Sequence, residues 1–217
     1  MNELFVRTAT GLLLVALALV AAVIGGTVFA VFVAAIATAM YYEWSRIVRG
    51  WGAAWFASGF VYALIPALSL LWIRERTPPE LPNNESGLAL LVWVFIVTWS
   101  TDIGAYFAGR RFGRRKLAPT ISPGKTVEGL YGGIATATLL GAVWVLATHL
   151  GLALLLLAPL FAAAAQAGDL FESAMKRRAG VKDSGTWLPG HGGVLDRLDG
   201  LVPVAVLTAA AQLLGMT

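Results

Sequence analysis

Acidic residues set in apolar runs are what a lipid environment does not explain in this chain. Asp102 follows Ser100 and Thr101 inside a hydrophobic stretch. An Asp at mid-span costs about 2.5–3.5 kcal/mol on insertion scales, so it needs either a partner on a neighbouring segment or a function. Asp169 closes another apolar run, and Ser173 and Lys176 follow one and two helical turns later, which sets all three on one helix face. A carboxylate for a cation and an ammonium for phosphate oxygen would suit a metal-bound phosphate, and equally an ordinary polar helix end. The densest cluster gathers Lys182, Asp183, Gly190, His191, Gly192, Gly193, Asp196, Arg197 and Asp199. If a helix begins near Gly193, Asp196 and Asp199 share a face, close enough for one or two hard cations. The glycines let backbone N–H groups approach an anion, and a helix N-terminus favours phosphate. The plain alternative is a flexible loop with its charges parked at the water line.

Better-known motifs are excluded. Gly124-Lys125-Thr126 imitates the end of a P-loop, but Pro119 stands where that motif needs its first glycine. His191 and His149 belong to no H-E-x-x-H zinc pattern. With no cysteine there is neither a disulfide framework nor a thiol nucleophile.

The elements that must position these residues are membrane helices. Of 217 residues 58% are hydrophobic and 13% charged, against roughly a quarter charged in a soluble domain. The stretch 9–42 is too long for one crossing of about 20 residues, and Gly25-Gly26 offers a turn within it. Further apolar runs at about 54–73, 87–109, 127–148, 151–170 and 198–215 predict an all-α polytopic membrane protein of about seven transmembrane helices. Pro78, Pro79, Pro82 and Asn83-Asn84 mark a loop between the third and fourth. A cytoplasmic N-terminus leaves only Arg74 and Arg76, of 16 basic residues, on the outer side, as the positive-inside rule asks. Both long polar inserts, about 110–126 and 176–197, then face the cytoplasm, where nucleotides are. The net charge of +4 is explained by orientation and anionic lipid, with no call on nucleic acid. The chain reads as a single membrane domain: N-terminal spans over 1–95, catalytic spans and loops over 96–200, and a last span over 201–217.

Three stretches resemble the phosphatidate cytidylyltransferases, also called CDP-diacylglycerol synthases. The longest comprises Ser173-Ala174-Met175-Lys176-Arg177, Lys182-Asp183-Ser184-Gly185, Leu188-Pro189-Gly190-His191-Gly192-Gly193 and Asp196-Arg197-Leu198-Asp199. The others are Ser100-Thr101-Asp102-Ile103-Gly104-Ala105-Tyr106-Phe107-Ala108-Gly109-Arg110 and Ser122-Pro123-Gly124-Lys125-Thr126-Val127-Glu128-Gly129. The resemblance implies cytidylyl transfer from CTP to phosphatidic acid at the cytoplasmic face of a bacterial inner membrane, giving CDP-diacylglycerol and pyrophosphate. It implies Mg2+, with a second cation, on Asp169, Asp196 and Asp199. Lys176 would join these three in catalysis, and the chain would form a homodimer. It places substrate contacts at Asp102, Ser122, Lys125, Thr126, Glu128, Ser173, Arg177, Lys182, Asp183, His191 and Arg197. Gly124 departs from the family's usual Ser-Pro-Lys-Lys-Thr, so one phosphate contact is either missing or supplied by Arg114, Arg115 or Lys116. Two alternatives stay open: a CTP-dependent polyprenol or phytol kinase, with an alcohol as acceptor, and an ion-coupled transporter. Against the transporter, the acids cluster at one water line and no inverted repeat is visible.

Overall fold

The structure is a computed structural model that describes residues 3–75, 85–188, 190 and 192–217. Among the described residues lie eight helices and one short hairpin: α1 (Glu3–Ile24), α2 (Gly26–Ile47), α3 (Ala53–Glu75), α4 (Glu85–Phe112), β1 (Lys116–Ala118), β2 (Ser122–Thr126), α5 (Val127–Thr148), α6 (Ala153–Arg178), α7 (Leu195–Leu198) and α8 (Leu201–Leu213). The protein is an all-α polytopic membrane protein in architecture. Among the described residues five helices, α2 to α6, are long and apolar enough to cross a bilayer. Two further apolar stretches, Thr8–Ile24 and Leu201–Leu213, are shorter. At 1.5 Å per residue the 13 residues of α8 reach about 20 Å, less than the roughly 30 Å hydrocarbon core.

The expected break at Gly25-Gly26 is present. Gly25 takes φ +69°, a left-handed conformation open to glycine, and α2 starts at the next residue. Arg74, at the end of α3, seals this turn from within the protein. Its Nε donates to Ala22 O at 2.6 Å and its Nη2 to Val23 O at 3.2 Å, while Glu75 accepts from Gly26 N at 3.1 Å. A cation on the last carbonyls of α1 is also favoured by the helix dipole. Arg74 is therefore a buried cap rather than a loop charge. Arg76, the prolines of the following segment and Asn83-Asn84 lie outside the described residues.

Successive helices run up and down. The start of α4 meets the end of α3, where Gly87 abuts the Arg74 carbonyl, and Gly151, just before α6, abuts Thr217. The ends of α2, α4 and α6 and the starts of α3, α5 and α7 consequently gather at one end of the bundle. The tightest pair is α4 with α5. Gly129, Gly133, Ala137 and Gly141 form a buried line at four-residue spacing along α5. A Cβ on Gly133 would stand 2.6 Å from Thr101 O, and one on Gly129 2.9 Å from Ala105 O. Where lipid and side chain are equally apolar, such close backbone approach is a main source of helix association.

Two expectations need correction. The insert 110–126 is not plain loop: β1 and β2 pair antiparallel, Lys116 opposite Thr126 and Ala118 opposite Ser122. Strands of three and five residues are too short to leave a periodic signal. Thr126 then starts α5, its Oγ1 accepting from Gly129 N at 3.0 Å in extended backbone. The helix in the final run is also shorter than its apolar stretch of 198–215: α7 ends at Leu198, the chain turns at Asp199-Gly200, and α8 spans Leu201–Leu213.

Candidate active site

At the loop-bearing end, a cavity of about 720 Å³ opens among the end of α4, the hairpin, α6 and α7. Asp102 and Arg110 reach it from α4, Ser122, Lys125 and Thr126 from β2, Asp169 and Lys176 from α6, and Asp183, Asp196, Arg197 and Asp199 from the last loop and α7. Acidic groups from separate apolar segments therefore meet in one place.

Several of these charges are held by specific partners. Lys125 Nζ lies 2.6 Å from Asp169 Oδ2 and donates to Gln166 Oε1 at 2.7 Å. Gln166 Nε2 in turn donates to Asp102 Oδ1 at 3.3 Å, so the mid-span Asp does have a partner on a neighbouring helix. Ser173 donates to Asp169 Oδ1 at 3.2 Å, as the common helix face predicts. Lys176 pairs with Asp196 and stands 3.4 Å from Glu172, whose carboxylate is buried one turn back on α6. Asp196 Oδ2 also accepts from Ser184 N at 2.9 Å, Ser184 Oγ at 2.9 Å and Gly193 N at 2.8 Å. Burial works to raise the Asp196 pKa, but the Lys176 ammonium and the Gly193 and Ser184 amides outweigh it and hold the carboxyl below its ordinary value.

The loop between α6 and α7 is fastened from the far half of the chain. Glu43, on α2 and 1% exposed, accepts from Ser184 Oγ at 3.0 Å, Val194 N at 3.0 Å and Leu195 N at 2.8 Å. Any Cβ on Gly193 or Gly185 would run into this carboxylate, so only glycine leaves room for the bridge. Gly168 plays the matching part on α6, its Cα side packed against Asp199 O and Pro203.

The sequence model of the cytidylyltransferase family matches residues 50–214. The phosphatidate cytidylyltransferase of Brucella suis is 37% identical over 256 residues, covering 95% of this chain and 92% of the relative. That of Pseudomonas aeruginosa is 41% identical over 180 residues, covering 81% and 64%. That of Bacillus subtilis is 50% identical over 119 residues, covering 54% and 44%. The chain belongs to the cytidylyltransferase family.

Of the residues that the resemblance assigns, Asp102, Ser122, Lys125, Thr126, Asp169, Lys176, Asp183, Asp196, Arg197 and Asp199 line this cytidylyltransferase cavity. Others stand back from it. Glu128 accepts from the Arg114 and Arg115 amides at 3.0 and 3.2 Å and from Arg115 Nε at 3.2 Å, pinning the hairpin to α5. Arg177 donates to Ile121 O at 3.1 Å and so ties α6 to the hairpin turn. Ser173 acts through Asp169, and Lys182 faces a neighbouring cavity. His191 lies outside the described residues. Arg114, Arg115 and Lys116 do not line the cavity, whereas Arg110 does. A Cβ on Gly124 would meet open space, so glycine there is not a packing requirement.

Sequence reasoning passed over Glu43, Gln166 and Glu172. Gln166 lies inside the apolar part of α6, the same signal that singled out Asp102, whereas Glu43 and Glu172 sit among other polar residues near helix ends, where a charge draws no notice. For a metal, the donors at hand are carboxylate oxygens, suited to a hard cation. Among the described residues no three acidic or imidazole groups converge on one point. Mg2+ seldom needs such a trio, since one or two carboxylates with substrate phosphates and water complete its shell. The lining also carries five acids, Asp102, Asp169, Asp183, Asp196 and Asp199, against four bases, Arg110, Lys125, Lys176 and Arg197. A polyanion in that setting calls for cations of its own, so the residues fit the group.

Proposed function

We propose that the protein transfers the cytidylyl group of CTP to phosphatidate, forming CDP-diacylglycerol and pyrophosphate, in the cavity between α4, α6 and α7. The observation that carries this reading is the meeting of Asp102, Asp169, Asp196 and Asp199 with Arg110, Lys125, Lys176 and Arg197 in one chamber. The relatives named phosphatidate cytidylyltransferase, the first of them matched over nearly its whole length, support the substrates.

The reaction joins a phosphate monoester oxygen to the α-phosphorus of CTP and breaks the bond to the β-phosphate oxygen, so that pyrophosphate leaves with its electron pair. The nucleophile's second pKa is about 6, hence it is already largely ionised at neutral pH and needs no general base. What the protein must supply is alignment and charge neutralisation. Lys125 can exchange Asp169 for a phosphate oxygen without leaving its place on β2. Arg197 lines this cavity and also an apolar crevice walled by Phe29, Met40, Ala63, Trp99 and Leu201. A guanidinium at that junction can hold a lipid phosphate while the acyl chains stay among hydrophobic side chains. Asp169 and Asp199 are the carboxylates for Mg2+, which when bound neutralises the triphosphate and polarises the α-phosphoryl group. Asp196 spends its oxygens on Lys176 and the loop amides, and so shapes the site as well as charging it.

On this reading the chain crosses the bilayer about seven times, α1 and α8 joining the five long spans, α8 together with the residues after it that bring Thr217 beside Gly151. The N-terminus and the cavity face the cytoplasm of a bacterial inner membrane, which the distribution of basic residues supports. Pairing of two chains is carried over from the resemblance alone. Incubating the purified protein with CTP and either phosphatidate or a polyprenol, then weighing the lipid product by mass spectrometry, tests the assignment. CDP-diacylglycerol is the expected product; a phosphorylated alcohol, or no CTP-dependent lipid product, refutes it.

A further inference from the structure

Beside the first cavity lies a second, of about 590 Å³, enclosed by the end of α2, the α2–α3 turn, the end of α6 and the loop that follows. Arg46, Arg49, Arg178 and Lys182 line it, with Asp183 as its single acid. Among the described residues none of these four cations is ion-paired with a carboxylate. Two of the guanidiniums are steadied by aromatic faces. Arg178 sits 4.3 Å from the Trp51 ring centre and 5.2 Å from that of Trp55, and Arg46 sits 5.9 Å from Tyr42. Such stacking orients a guanidinium while leaving its N–H edge available to an acceptor.

Membrane orientation asks only that basic residues lie on one side of the bilayer. It does not ask that cations from two distant stretches of chain, 46–49 and 178–182, surround one hollow, where they repel one another. An anion of matching size removes that repulsion. Planar guanidiniums suit the oxygens of a phosphate ester, and indole rings at helix ends mark the depth at which lipid headgroups lie.

We infer that this second cavity binds a phosphate-bearing anion, either a phospholipid headgroup or a free phosphate, that takes no part in the cytidylyl transfer. Asp183 lines both cavities, and the next residue, Ser184, bonds to Glu43 and Asp196. An anion drawn to Lys182 thus acts on the loop that carries the reaction site. The inference goes beyond the proposed reaction and is tested by binding rather than by turnover, so the two can fail separately.

The full-length protein is placed in phosphatidylcholine nanodiscs. One arm titrates phosphatidylglycerol into the disc and counts retained lipid by native mass spectrometry. The other titrates inorganic phosphate with no anionic lipid present and follows it by calorimetry. Saturable binding is expected in at least one arm; the first identifies a headgroup, the second a free anion. Arg46→Gln/Arg49→Gln is expected to weaken that binding fivefold or more, Arg46→Lys/Arg49→Lys to retain most of it, and Arg111→Gln, at a cation that lines neither cavity, to leave it unchanged. Arg178→Gln, on a different helix, gives the same reading if the double variant does not fold. No saturable binding in either arm, or less than a fivefold loss in a folded glutamine variant, overturns the proposal.

Discussion

Replacing Glu43 by Gln removes one charge and almost no volume, at a residue too far along the chain from the acids to suggest a role in their placement. In the native protein one oxygen accepts from Val194 N and the other from Leu195 N and Ser184 Oγ. An amide can keep only one of these acceptor positions. If the Leu195 and Ser184 bonds survive, each falls from charge-assisted to neutral strength, a loss of about 1 kcal/mol apiece, and the Val194 amide faces an NH2 group, which strands a buried donor at about 1–3 kcal/mol. The sum is about 3–5 kcal/mol. Nearly all of it falls on the docking of the loop that carries Asp183, Asp196, Arg197 and Asp199. At about 1.4 kcal/mol per tenfold, kcat/KM for CDP-diacylglycerol formation should fall by about 100-fold or more. The assay is product formation from labelled CTP and phosphatidate in mixed micelles, with thermal unfolding in the same detergent to verify that the helices stay assembled. Activity within threefold of the native enzyme would show that α2 does not hold the loop, and the account of the site would be wrong.

Asp199→Asn should abolish turnover with little change in melting temperature, whereas Asp196→Asn should lose both, because Asp196 alone also bonds to Ser184, Gly193 and Lys176; near-normal turnover in either variant would sink the catalytic assignment. Since the folded-state pKa of Asp196 is depressed, its contribution to stability is complete above about pH 4 and is lost as pH falls through the folded value, so acid unfolding of Asp196→Asn should be less steep than that of the native protein. Lys125→Ala should raise KM for CTP or phosphatidate, and unchanged kinetics would leave that side chain with a merely structural bond to Asp169. Gly133→Val should cost about 1–3 kcal/mol of stability by forcing α4 and α5 apart, read as a lower melting temperature.

Much of this could be read before any coordinates. Apolar runs placed the helices because burial in lipid demands about 20 such residues, and Gly25 marked a turn because few other residues accept its backbone angles. Asp102, Asp169, Asp196 and Asp199 stood out because charge in an apolar run is costly, and all four line the cavity. The failures have physical causes as well. The hairpin escaped notice because so few residues pair, and the break between α7 and α8 because it occupies only Asp199 and Gly200. The expected substrate contacts Glu128 and Arg177 bond to the hairpin and stand outside the cavity lining, a placement that residue type alone does not encode. The Glu43 bridge spans more than 140 residues, and no local pattern encodes a partner at that separation.

The near balance of acids and bases in the main cavity bears on how the enzyme lets go. A basket lined by unopposed lysines and arginines would seize a nucleotide quickly and then keep its pyrophosphate, making departure the slow event of each cycle. Here Lys125 and Lys176 already have carboxylates waiting at 2.6 Å or closer. As a leaving anion withdraws, these two lysines can reclaim their counter-charges from within the wall, so the chamber empties without stranding either and the next round can begin.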